Sequence, residues 1–190
     1  EKMNFSRPLI LASSSPRRHY LMKEAGFEFS IQSPNVDESF PSDMPLENIP
    51  TYLAEKKARA LEKHINNQII VASDTVVILG DKVLNKPANH AEAIAMLEAL
   101  SGQTHVVITG VCLLSKEKID CFDDRTEVTF KKLTRGEIDY YVDTHKPFDK
   151  AGAYGAQDWL GMVGIKKISG SYFTVMGLPM HKVYEHLQKF

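Results

Sequence analysis

The sequence predicts an α/β fold, and three observations carry that prediction. An apolar run, a helical segment and a second, alternating apolar run follow one another at the start, in the order of a βαβ unit. The centre is dominated by long β-type runs broken by short polar turns. The end returns to helix. With 190 residues, 43% hydrophobic and 25% charged, the chain is expected to form a single domain, residues 1–190, with two lobes around a cleft, a favoured ligand site.

Each element has a local reason. Residues 8–13 form a short apolar run that reads as a buried strand. A helix over residues 16–25 follows. Ser15 suits its N-cap, Pro16 its first position and Gly26 its stop, and Tyr20, Leu21 and Ala25 are expected to share a face. Residues 27–33, FEFSIQS, alternate as a strand, paired largely in parallel with the first. The proline-rich, acidic residues 34–50 read as a loop, and residues 51–64 as a helix with Leu53, Ala54, Ala58 and Leu61 at helical spacing. A buried strand over residues 69–73 leads into a hairpin that turns at Gly80-Asp81. Residues 90–100 form an amphipathic helix ended by Ser101-Gly102. Two long strands meet at the charged turn 116–118. Thr134 and Glu137 have the spacing of a capping box. A glycine-rich segment, a strand over residues 162–168 and a closing helix over 179–190 complete the chain.

Several broad classes are excluded. The formal net charge is −1, so any anion must be held by a local cluster rather than a global field. The basic residues are not spread along one face between aromatics, which argues against nucleic acid as a partner. No run approaches the about 18 apolar residues of a membrane span, so no membrane partner is expected. The N-terminal EKMNFSRPLILASSS has too short an apolar segment for a signal peptide, and a cytoplasmic location is expected. Cys112 and Cys121 can then face each other across a hairpin as reduced thiols. The seven histidines form no HxH or HExxH pattern, and there is no GxSxG, GxxxxGK[ST] or GxGxxG.

The candidate chemistry is distributed. Arg17 and Arg18 stand at a helix start, where the dipole is already positive, so an anion is expected beside them. Free amides of that turn, the hydroxyls of Ser13, Ser14 and Ser15, and two guanidiniums match a polyphosphate; a capped surface helix with solvated arginines is the plain alternative. Asp37 and Glu38 can hold a divalent cation or supply a base, or simply solvate a loop. Asp74 and Thr75 stand at the end of a buried strand, where α/β proteins gather catalytic groups; an Asx-turn opening the hairpin explains them as well. Lys86 precedes a proline that holds it extended, and Lys57 lies mid-helix, where lysines are normally solvated. Residues 150–157 combine close-approach glycines with Gln157, a donor and acceptor able to read a base edge, or make only a tight turn.

Taken in order, ASSSPRR, VDES, LAEKKA, SDTVV, NKP, LSGQTH, DKAGAYGAQ and ISGSYFTVMGLP resemble the Maf family over nearly the whole chain. The resemblance implies a long twisted mixed sheet with flanking helices, two lobes and a central cleft. It implies a cytosolic nucleoside triphosphate pyrophosphatase that cuts between the α and β phosphates with a divalent cation, Mg²⁺ or Mn²⁺, and forms homodimers. By position, Asp74 corresponds to the catalytic carboxylate that accepts a proton, with Lys57 and Lys86 as catalytic cations. Ser13, Ser15 and Arg18 correspond to phosphate contacts, Arg17, Thr75 and Gln157 to specificity positions, and Asp37, Glu38 and Asp74 to metal ligands. SPRR, DT and YGxQ resemble the dTTP/UTP branch; the 7-methyl-GTP branch tends to carry Trp where Arg17 stands. Ala156 and Phe173-Thr174 depart from the usual residues, and Asp37 stands where Glu is frequent. Two alternatives remain open: a purine-selective or 7-methyl-GTP-selective relative, and a nucleotide-binding regulator of cell division without turnover.

Overall fold

A computed structural model describes residues 5–190; the first four residues, and with them the start of the segment read for a leader, lie outside the described residues. The strands are β1 (Leu9–Ala12), β2 (Phe29–Ile31), β3 (Ile69–Leu79), β4 (Lys82–Leu84), β5 (Thr104–Leu114), β6 (Ile119–Phe130) and β7 (Ile165–Ser169). The helices are α1 (Pro16–Glu24), α2 (Ile49–Ala60), α3 (His90–Leu100), α4 (Arg135–His145), α5 (Trp159–Gly164), α6 (Tyr172–Met176) and α7 (Met180–Gln188). The strands join in one mixed sheet of order β2-β1-β3-β5-β6-β7, with β4 paired to β3. β1 runs parallel to both β2 and β3, whereas β3–β4 and β6–β7 are antiparallel.

The chain divides into two compact units. The first runs to Asp74 and adds Thr109–Asp124 and Gly177–Phe190; the second comprises Thr75–Ile108 and Arg125–Met176. In the first unit, Ile10, Ala12, Ala54, Ala58, Leu61, Ile70, Ala72, Cys112 and Leu114 form one core. Small residues lie on both sides of this contact, Ala54 and Ala58 on α2 and Ala12 and Ala72 on the sheet, so the helix can approach the strands closely. Gly110 on β5 completes the fit: a Cβ there would collide with the backbone of Pro50 and Thr51 at the start of α2.

The second unit is built around Leu97, Leu100, Val107, Phe130, Ile138, Tyr141, Tyr154 and Leu160. Thr134 and Glu137 cap α4 reciprocally, as the spacing predicts. The hairpin turns between Leu79 and Lys82. His105 is buried here, 2.5 Å from the Tyr154 hydroxyl through Nε2 and tilted against the Phe130 ring.

Four expectations are corrected. β3 does not stop at residue 73 but continues to Leu79, so Asp74 and Thr75 sit inside a strand rather than at its end. On α1, Leu21 and Met22 are the buried residues, while Tyr20 is exposed. Residues 162–164 belong to α5, and the strand begins only at Ile165. The short helix α6 has no counterpart among the elements expected from the sequence. Both cysteines are free thiols, Cys112 buried and Cys121 exposed.

This packing sets two expectations for stability. Gly110→Ala should cost about 3 kcal/mol or more in urea unfolding, because backbone rather than a flexible side chain obstructs the methyl group. Burial lowers the His105 pKa from 6.5 to about 4. Between those values the unfolded chain binds a proton that the native state refuses, so stability present above pH 6.5 is lost as pH falls toward 4. That contribution should approach ~3 kcal/mol, and His105→Gln should flatten the unfolding free energy over this pH window.

Candidate active site

The first unit concentrates charge around one lysine. Lys57 lies on the buried face of α2 with Ile49, Pro50, Leu53, Ala54 and Ala58. Its ammonium donates to Asp74 Oδ1 at 3.0 Å and to the Ser73 carbonyl at 3.1 Å, and Glu38 Oε1 stands 3.7 Å away. Lys57 and Asp74 are both nearly buried, each side chain 11% exposed, whereas Glu38 reaches in from an exposed loop. The parallel pairing with β1 explains how Asp74 is delivered: it fixes β3 from Leu9↔Ile69 to Ala12↔Ala72, two residues before the carboxylate.

The turn from β1 into α1 supplies the second cation. Arg18 Nε donates to the Gly177 carbonyl at 2.8 Å. Gly177 has φ +122°, a conformation that favours glycine, and a Cβ there would crowd that same nitrogen at 3.0 Å. Burial is the largest influence on the guanidinium, opposed by Asp74 and then reinforced by Arg17; the result is a pKa of about 10. Arg18 therefore remains a cation at neutral pH, already in the field of Asp74 and Glu38.

The expected Ser15 cap is present, and it is the amides of the turn that depart from expectation. The Ser13 hydroxyl accepts from the Ser15 amide, and Ser15 caps α1 by accepting from the Arg18 amide. The His19 amide bonds the Ser15 carbonyl, and Pro16 has no N–H. The first-turn amides are thus largely consumed by the cap, and an anion would meet the guanidiniums and the hydroxyl protons of Ser13 and Ser15 instead.

The remaining candidates are placed as follows. Arg17 is half-buried beside Arg18 in the sequence of α1. Asp37 is exposed; hydrogen bonds from Ser39 and then Lys56, the latter at 2.9 Å, hold its carboxyl below the usual carboxylate range. Among the described residues, no three His, Cys, Asp or Glu side chains converge as a ready metal cage. Glu38 and Asp74 meet at Lys57, but Asp37 turns to Lys56, so the expected trio is not assembled. Thr75, Lys86 and Gln157 belong to the second unit. Thr75 is half-buried on β3, Lys86 is exposed after β4, and Gln157 is exposed between the buried Ala156 and the half-buried Asp158. Gly177 and Lys56 escape sequence reasoning; only the GLP block hints at the first, and nothing local marks the second.

Lys57→Met should destabilise the protein by about 3–5 kcal/mol, since it strands a buried carboxylate. The double variant Lys57→Met/Asp74→Asn should recover most of that loss, giving a coupling that a urea-unfolding cycle measures directly.

Comparison with known proteins places these features in context. A family profile described as Maf-like protein matches residues 8–190. A protein of Cytophaga hutchinsonii named dTTP/UTP pyrophosphatase is 49% identical over 181 residues, covering 95% of this chain and 83% of its own. A protein of the same name from Bacteroides fragilis is 46% identical over 183 residues, covering 95% of both chains. Among solved structures, a HAM1 protein from Coxiella burnetii superposes with a TM-score of 0.54 at 18% identity, over 97% of this chain and 100% of its own, a likeness of fold.

Proposed function

The chain belongs to the Maf-like protein family, and we propose that it hydrolyses dTTP and UTP between the α and β phosphates, releasing pyrophosphate and the nucleoside monophosphate. The observation that carries this reading is the buried Lys57 ammonium held between Asp74 and Glu38, with Arg18 in the same electrostatic field. Relatives named for this activity support the choice of substrate.

Each group has a chemical task. Arg18, with Arg17 and the Ser13 and Ser15 hydroxyls, binds the phosphate chain and offsets its charge. Asp74 orients a water toward the α phosphorus and takes its proton. The oxygen of that water forms the new P–O bond while the bridging oxygen leaves with the β phosphorus as pyrophosphate. Lys57 fixes the Asp74 carboxylate through Oδ1. Thr75 and Gln157 hydrogen-bond the base; such contacts reject a wrong edge more strongly than apolar fit does.

The donor set fits Mg²⁺ or Mn²⁺ held jointly with substrate oxygens, because such ions take one or two protein carboxylates and complete their shell from phosphate and water. Glu38 and Asp74 would hold it, and it would neutralise charge on the phosphates. Asp37, committed to Lys56, stands outside this pair.

A panel of nucleoside triphosphates with Mg²⁺ or Mn²⁺, assayed for pyrophosphate and monophosphate, tests the activity. Release from dTTP and UTP above the purine and 7-methylated nucleotides is expected. Orthophosphate as first product refutes the bond assignment, and a nucleotide-dependent thermal shift without product indicates a sensor instead. Asp74→Asn should lower kcat by about 10²–10⁴ while nucleotide affinity changes little. Equal losses in affinity and turnover would argue for a binding role alone.

A further inference from the structure

Gln157 lies in a turn that the second unit holds unusually tightly. The turn begins with two left-handed residues, Gly152 (φ +72°) and Ala153 (φ +63°), of which the non-glycine Ala153 is strained. A Cβ at Gly152 would press on Val77 at 3.0 Å. Immediately after, the Tyr154 hydroxyl meets His105 Nε2 at 2.5 Å, and the Tyr154 ring packs edge-on against Phe130 and His105. The Gly155 amide donates to the Tyr141 hydroxyl at 3.2 Å, and that hydroxyl donates to Asp158 Oδ2 at 2.6 Å. Ala156 is pinned from behind, because its carbonyl occupies the space a Cβ on Gly161 of α5 would need. Residues 154, 155, 156 and 158 are therefore each fixed by a partner in the same unit, and the residue among them left exposed is Gln157.

The aromatic members of these clasps are uncharged. Burial lowers the His105 pKa and raises those of Tyr141 and Tyr154, so imidazole and phenols stay uncharged at working pH. Tyr141 bridges the amide before Gln157 and the carboxylate after it, which sets the backbone on both sides. A glutamine amide reads uracil only if its donor and acceptor reach O4 and N3–H together; displacement of its backbone loses both bonds at once. From the structure we infer that Tyr141 and Tyr154, the latter braced by His105, are positioning residues for base selectivity. They act through Gln157 without touching the nucleotide. This rests on the reading of Gln157 as a base contact.

The test uses the full chain as Tyr141→Phe, Tyr154→Phe and, as reference, Gln157→Ala, with UTP and CTP as substrates. In the reference variant the ratio of kcat/KM for UTP over CTP should fall. Both Tyr→Phe variants should follow it, with about a tenfold lower ratio and the loss carried mainly by a higher KM for UTP. If Gln157→Ala leaves the ratio unchanged, the base-contact reading fails and the inference fails with it. If Gln157→Ala lowers the ratio while both Tyr→Phe variants keep it, the positioning role alone is overturned; a lower melting temperature with parental selectivity in those variants overturns it equally. Should Tyr141→Phe not fold, Asp158→Asn, which keeps the hydroxyl but weakens its acceptor, carries the comparison.

Discussion

A lysine on the inner face of a helix imposes the central constraint. Removing an ammonium from water costs several kcal/mol unless carboxylates meet it at hydrogen-bond distance. Lys57 satisfies that condition through Asp74, the Ser73 carbonyl and Glu38. Much of the first unit serves to make the meeting possible. Alanines on α2 and on the sheet let helix and strands approach, and Gly110 gives the helix start room to settle. The parallel pairing with β1 fixes β3 just before the acid. A loop then brings in a second carboxylate. The pair is poor as a source of stability compared with an apolar contact of equal volume, so its presence in the core points to chemistry.

The two units differ in how they use polar groups. In the first, the important contacts are between full charges: guanidinium, ammonium and carboxylates. In the second, the buried tyrosines and histidine are held uncharged by desolvation and act as plain donors and acceptors.

Local signals are readable in the sequence and tertiary ones are not. The Ser15 cap, the Gly80-Asp81 turn and the Thr134–Glu137 box each depend on residues within a few positions of one another, and the structure has all three. The extent of β3 is hidden because Ser73, Asp74 and Thr75 interrupt an apolar run and imitate a turn; neighbours distant in sequence bury them regardless. Lys57 looks like any solvated helical lysine, because nothing within a turn of it reveals that α2 packs on that side. Asp37 and Glu38 are indistinguishable as adjacent acids, yet one turns to Lys56 and the other to Lys57. The paired arginines at the start of α1 are legible, but the use of the turn's amides in capping depends on side-chain rotamers that spacing does not encode.

The alternation of β3 has a consequence for how this chain tolerates change in length. Neighbouring residues on a strand point to opposite faces, so a one-residue insertion or deletion between Ile69 and Asp74 would turn the acid away from the helix and present a hydroxyl or an apolar group in its place. Substitutions along that stretch can be graded; indels cannot. Length variation in descendants of this gene should therefore collect at the turn after Leu79, where an added residue lengthens a loop and leaves the strand's phase intact.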